Sequence, residues 1–254
     1  RFLDWPTSPN KGAIHAGLQS MMVLTFQAGA EIASVLEKPE LASDYNKTVE
    51  LLKQHIPDPN GNKSGGALMA LSGLADPVEM NDNLLAVDPL SGVSTFYGFY
   101  VLQARAEAGD YKGAMDVIRN YWGAMLDLGA TTFWEDFDLE WAKNAGRIDA
   151  MPSEGQDDIH ADYGNYCYVG LRHSLCHGWA SGPTSWLSRY VLGVQVLEPG
   201  CKAVSINPNL GDLEWAEGSY PTPMGPIKVR HEKQKDGSIK SDIKLPKGVR
   251  LVKN

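Results

Sequence analysis

The chain has 254 residues, 43% of them hydrophobic, a formal net charge of −8 and a pI near 5.2. That length accommodates one large domain plus a small one around a sizeable core. The acidic balance, without a basic stripe, argues against nucleic acid or an anionic membrane as partner, since both are met through clustered Lys and Arg.

The first residues, Arg1 to Asn10, contain Phe2, Leu3 and Trp5, which read as the inside of a structure. This opening is expected of a processed product or of part of a longer polypeptide. Apolar residues at helical spacing (Leu18, Met22, Leu24, Ala28, Ile32, Val35, Leu36) predict a helix over residues 12–38, and Pro39 bars its straight continuation. A second helix is predicted over 40–55, a loop over the turn-rich stretch 57–66, and a short helix over 67–77. Two more follow near 91–108 and 111–128, joined by a tight Gly109-Asp110 turn. Residues 142–166 are polar, acidic and Gly-rich, which suits a long surface loop.

Helical character returns after Ser174, with Trp186, Tyr190 and Val194 on one stripe, before short β-branched runs between Pro and Gly. Residues 235–238 read as a hairpin turn. The predicted organisation is a helical body over 1–197 and a small antiparallel β-domain over 198–254. Cys167, Cys176 and Cys201 are odd in number and form no CxxC, so buried free thiols are expected instead of a disulfide framework or a zinc site. No apolar run is long enough to span a bilayer.

The chemistry concentrates in Gly129 to Trp141, "GATTFWEDFDLEW". Small residues there allow close backbone approach, and Glu135 stands beside aromatic rings, where desolvation and the charges of Asp136 and Asp138 raise a carboxyl pKa toward proton-transfer use. The competing reading makes Glu135 a cap in the acidic first turn of a following helix. A calcium loop through Asp136, Asp138 and Glu140 lacks the glycine and remaining ligands of an EF-hand. Seven tryptophans accompany the acids. Flat rings pack on the C–H faces of sugars while carboxylates take the hydroxyls, so Trp5 and Trp134 are candidates for a carbohydrate site and the other tryptophans for the core. His177 either orders its Gly- and Ser-rich loop or contacts a substrate hydroxyl. His160 has no second histidine at helical spacing, so metal ligation is discounted.

Together, "FLDW", "GATTFWEDFD" and the stretch from "SLCHGWASGP" to "GPIKV", in that order, resemble the C-terminal part of the bacterial α-L-rhamnosidases, glycoside hydrolase family 78. The resemblance implies a mainly α fold, part of an (α/α)6 barrel entered partway round, followed by a small antiparallel β-sandwich domain. It implies an inverting glycosidase that releases terminal α-L-rhamnose from glycans or glycosides and needs no cofactor and no metal. Two carboxylates would flank the scissile bond, roughly 6.5–9.5 Å apart.

In that scheme Glu135 matches the general base. Asp4, Trp5, Trp134 and His177 match positions at the sugar. The family's general acid lies upstream of the Asp-Trp segment, so the N-terminal remainder of the same protein is expected to complete the site, and the isolated chain to be poorly stable. A secreted or periplasmic location follows if the parent carries a signal peptide. The stretch from Lys143 to Tyr166, between Glu135 and His177, bears on the sugar preference. The competing functions are a noncatalytic carbohydrate-binding protein on the same barrel, another (α/α)6 sugar hydrolase or lyase, and a helical-repeat interaction protein.

Overall fold

The computed structural model describes residues 1–159 and 172–252. His160 and Cys167, both weighed above, lie outside the described residues. By its internal contacts the chain divides into two compact units, Arg1–Ala180 and Ser181–Asn254.

The first unit is helical. Helix α1 (Lys11–Val35) starts where the Asn10 side chain accepts the N–H of Ala13. It buries Ala13, Ala16, Gly17, Ser20 and Val23, spaced three or four apart, on one face. Pro39 opens α2 (Pro39–Leu52) from its first turn, where the missing N–H costs nothing. Together α1, α2 and α3 (Lys63–Ser72) enclose a cluster of Ala16, Val23, Val49, Met69 and Leu74.

Helix α3 begins earlier than the sequence predicts. Asn62 caps it through the N–H of Gly65, so the glycines read as loop are helical. A Cβ on Gly66 would fall 2.5 Å from Leu84 Cδ2, so the glycine is what lets this turn pack close. Gly73, at φ 73°, then ends the helix in the left-handed conformation. The short α4 (Pro77–Met80) runs into a π-helical turn, Asn81–Leu85.

The single helix predicted over 91–108 is shorter: residues 91–97 are turns, and α5 spans Gly98–Glu107. The next helix is interrupted. α6 (Tyr111–Val117) passes through a π-helical turn, Ile118–Trp122, into α7 (Gly123–Asp127). The tight turn between α5 and α6 is fixed by Asp110, which caps Gly113 N–H and pairs with the buried Arg105 at 2.6 Å. Arg105 also donates to the Leu85 carbonyl at 3.1 Å. A four-residue helix, α8 (Leu139–Ala142), follows, with Asp138 as its cap.

The second unit starts with α9 (Gly182–Trp186), which runs into a π-helical turn, Leu187–Val191, that packs on strands of the same unit. For that reason the contact boundary falls ahead of the compositional change at Glu198. Strand β1 (Val194–Val196) also precedes that change, where the sequence reads as helix. Strands β2 (Ala203–Ile206), β3 (Trp215–Tyr220), β4 (Ile227–Lys233), β5 (Ile239–Lys244) and β6 (Arg250–Leu251) follow.

They form two three-stranded sheets, ordered β1-β2-β6 and β3-β4-β5. Val194 and Val204 from one sheet meet Ile227 and Val229 from the other in a shared core. The predicted hairpin joins β4 to β5, with Gly237 at φ 84°. The sandwich is not wholly antiparallel. β2 pairs with β6 in parallel because the chain returns to that edge from the second sheet instead of by a hairpin.

Candidate functional site

The site is built where two non-helical segments of the first unit are stitched together. Residues 132–136 leave α7 after Gly129, at φ 91°; residues 173–177 run alongside them. His177 N–H donates to Phe133 O at 2.8 Å, and Glu135 N–H to Ser174 O at 2.8 Å. Asp136 N–H donates to His173 Nε2 at 3.1 Å, so that nitrogen carries no proton. The Thr132 hydroxyl donates to Leu175 O. The Glu135 carbonyl accepts from both Thr95 Oγ1 and Trp179 Nε1, each at 2.6 Å. Its backbone is therefore held from α5's approach loop, from the histidine loop and from an indole.

The Glu135 side chain is 15% exposed. Its Oε2 accepts the N–H of Ser174 at 3.1 Å and lies 4.0 Å from His177 Nδ1. No described residue donates to Oε1. The carboxylate borders a cleft lined by Asp4, Trp5, Thr95, Phe96, Asp136 and Trp179. Trp179 stacks on Phe96 at 5.5 Å and touches the His177 ring at 4.6 Å. Trp5 is 38% exposed and packs edge-on against Phe2.

Asp4 is buried, its two oxygens taking Trp5 N–H at 2.8 Å and the Ser94 hydroxyl at 3.4 Å. Burial raises its pKa against those two bonds. The same cause, opposed by the Phe137 N–H and reinforced by the charges of Asp4, Asp138 and Glu135, pushes Asp136 up to about 6.

Four of the five residues singled out in the sequence therefore meet here: Asp4, Trp5, Glu135 and His177. Trp134 does not. It is wholly buried, at 0% exposure, and packs edge-on against Phe137. The ring that faces the cleft is Trp179, read in the sequence as core. Glu135 is not a helix cap either, since Asp138 performs that role for α8. Thr95, His173 and Ser174 were not legible as site residues. The alternation of His173, His177 and Trp179 at odd positions was the available signal.

Residues 193–252 match the family model of the bacterial alpha-L-rhamnosidase C-terminal domain. Solved rhamnosidases extend the likeness over the helical unit. The GH78 family rhamnosidase of Bacillus sp. GL1 superposes on 90% of the chain with a TM-score of 0.68 at 24% identity. The α-L-rhamnosidase of Aspergillus terreus matches 90% at a TM-score of 0.71 and 20% identity. That of Streptomyces avermitilis, solved with L-rhamnose, matches 92% at 0.68 and 17%.

The chain spans 25%, 27% and 22% of the length of these three rhamnosidases. No curated protein sequence matches it significantly. The chain thus has the fold of the α-L-rhamnosidases, part of a helical (α/α)6 barrel followed by the C-terminal β-domain.

Proposed function

We propose that the chain supplies the general-base side of an inverting glycosidase that releases terminal α-L-rhamnose, with Glu135 as the base. The observation that carries the reading is the state of its carboxylate: Glu135 lines a cleft with Trp5 and Trp179, its Oε2 accepts Ser174 N–H, and its Oε1 takes no bond from any described residue. An oxygen so placed can hold a water and accept its proton as the water attacks the anomeric carbon.

In this reading His177 meets a sugar hydroxyl, and the 4.0 Å between its Nδ1 and Glu135 Oε2 lets one hydroxyl at their side bond to both. Asp4, held by Ser94 and Trp5 N–H, fixes the start of the Trp5 platform. Trp134 backs the Glu135 segment from the core. The acid that protonates the leaving oxygen belongs to the remainder of the protein, as the resemblance implies.

The test is hydrolysis of a panel of aryl glycosides by the complete natural protein with and without Glu135→Gln. The expected result is turnover of the α-L-rhamnoside that falls about 10²–10⁴-fold in the variant. Turnover unchanged by the substitution overturns the role of Glu135. Rhamnoside binding without any turnover replaces the hydrolase with a carbohydrate-binding protein.

A further inference from the structure

On the first two helices, two imidazoles that take no part in the Glu135 cleft meet head-on. His15, in the second turn of α1, and His55, just past the end of α2, face each other with their Nε2 atoms 2.8 Å apart. The ring centroids are 5.0 Å apart, which sets the rings nearly end to end. His55 is exposed and His15 half-buried, so the pair opens to solvent.

The convergence is built by the chain on either side of it. Gln19 lies one helical turn beyond His15, and its Nε2 donates to Leu52 O at 2.7 Å. At the start of α1, Asn10 donates to Asn60 O at 3.1 Å and accepts from Asn60 Nδ2 at 3.0 Å. His15 thus stands between Asn10 and Gln19, and His55 between Leu52 and Asn60. The two facing stretches are tied at both ends without help from the histidines. Ligands positioned in advance in this way spare the entropy of ordering them when an ion arrives.

The chemistry of the pair narrows what it can hold. Two nitrogen lone pairs cannot face each other at 2.8 Å unless a positive centre lies between or beside them, and here one Nε2 carries the proton that the other accepts. No described residue bonds to either Nδ1, so each ring can carry its proton there, toward water, and leave Nε2 free. A neutral imidazole with a free ring nitrogen is a ligand for late first-row divalent ions. Two nitrogens bound to one such ion at about 2.0–2.1 Å stand roughly 2.9–3.4 Å from each other, for angles from square to tetrahedral. The pair reaches that span by opening a few tenths of an ångström and tilting each ring. Magnesium and calcium, which take oxygen ligands, do not suit it. Among the described residues no third His, Cys, Asp or Glu completes a group with the two, which leaves the other coordination positions to water.

We propose that His15 and His55 form a two-histidine site for a late first-row divalent metal ion, copper(II) held more tightly than zinc(II), which clips α1 to the end of α2. The site is separate from the Glu135 reaction and does not depend on that reading. Its ligands are 40 positions apart in the chain and meet through the fold, so the bound ion stabilises the folded protein.

The experiment is calorimetric titration of the complete protein, first stripped with a chelator, with the chlorides of Cu(II), Zn(II) and Mg(II), beside His15→Gln and His55→Gln. The unsubstituted protein is expected to bind one more Cu(II) than either variant, to hold Zn(II) there more weakly and to take no Mg(II) there. Each variant should lose at least about ten-fold in Cu(II) affinity at this site. Electron paramagnetic resonance should show two imidazole nitrogens on the copper in the unsubstituted protein and one fewer in each variant. Cu(II) should raise the melting temperature of the unsubstituted protein and not that of the variants.

Equal copper stoichiometry and affinity in all three proteins overturns the site, as does saturation only at millimolar metal. A two-nitrogen signal that persists in either variant places the copper elsewhere and overturns it as well. Copper bound at the pair without any rise in melting temperature overturns the clip. Should one variant fail to fold, the other decides, because the loss of either imidazole dissolves the chelate.

Discussion

Asp136 carries a cost that its neighbours impose. Ionised, it is a nearly buried charge beside Asp4, Asp138 and Glu135, and burial with those charges moves its pKa to about 6. A carboxyl with a raised folded pKa binds its proton more tightly folded than unfolded. Its contribution therefore favours the fold at acidic pH, declines as pH rises from about 4 to about 6, and is absent above that. Asp136→Asn should then stabilise the protein more at pH 7.5 than at pH 4.5, by up to about 3 kcal/mol, read from denaturant melts at the two pH values. An equal effect at both would show that the charge is not what costs. Glu135 was legible because small residues and a tryptophan frame it in the sequence. Asp136 as a site residue was not, because Asp4 and Ser94, which line a cleft with it, are far away in the chain. Trp134 misled for a local reason: in non-helical chain, successive side chains turn to opposite sides, so the ring beside a cleft-facing glutamate points into the core.

Two elements hold the site by means that substitution can separate. The Glu135 carbonyl receives two donors, and either alone would satisfy it. Trp179→Phe or Thr95→Val alone should cost about 0.5–1.5 kcal/mol, while the pair together should cost more than their sum, since only then is the carbonyl left without a donor. A double-mutant cycle by denaturant melts measures the difference, and strict additivity would count against the shared-carbonyl account. In the α5–α6 turn, Asp110 both caps a helix and neutralises Arg105. Asp110→Ala should destabilise by about 3–5 kcal/mol, the cost of leaving a buried charge unpaired; a loss near that of a cap alone, about 1 kcal/mol, would show that Arg105 finds another partner. Helix existence was legible from spacing, Pro39 and Gly109. Helix length was not: the π-helical turns add a residue to a turn, which shifts the apolar stripe without any signature in composition. β1 was read as helix because its apolar residues continue the stripe of Trp186 and Tyr190, and only pairing with β2 makes them a strand.

Across the whole chain, the buried titratable groups of the two units favour folding at opposite ends of the pH range. In the first, burial raises the pKa of Asp4 and pushes that of Asp136 up to about 6, so protonation of Asp136 adds stability as pH falls from 7.5 to 5. In the second, His231 is buried on β4, bonded to Leu192 O and Ser241, and burial lowers its pKa. Its contribution is present above the unfolded histidine value near 6.5 and is lost as pH falls below it. Hydrogen exchange followed separately on α5 and β4 should show protection rising in α5 and falling in β4 over that range. Parallel changes in both would contradict the assignment, and His231→Gln should flatten the response of β4 alone. The stitching of residues 132–136 to 173–177 has a consequence of a different kind. It brings His173 back beside Asp136 across a sequence separation of 37 residues, while Ile148 N–H and Arg147 tie the described part of the intervening chain to Leu128 O and Asp127 O. Closing a loop twice as long costs only about 0.6 kcal/mol more. The length between these two segments can therefore change at little entropic cost while the backbone of Glu135 keeps the bonds that hold it in place.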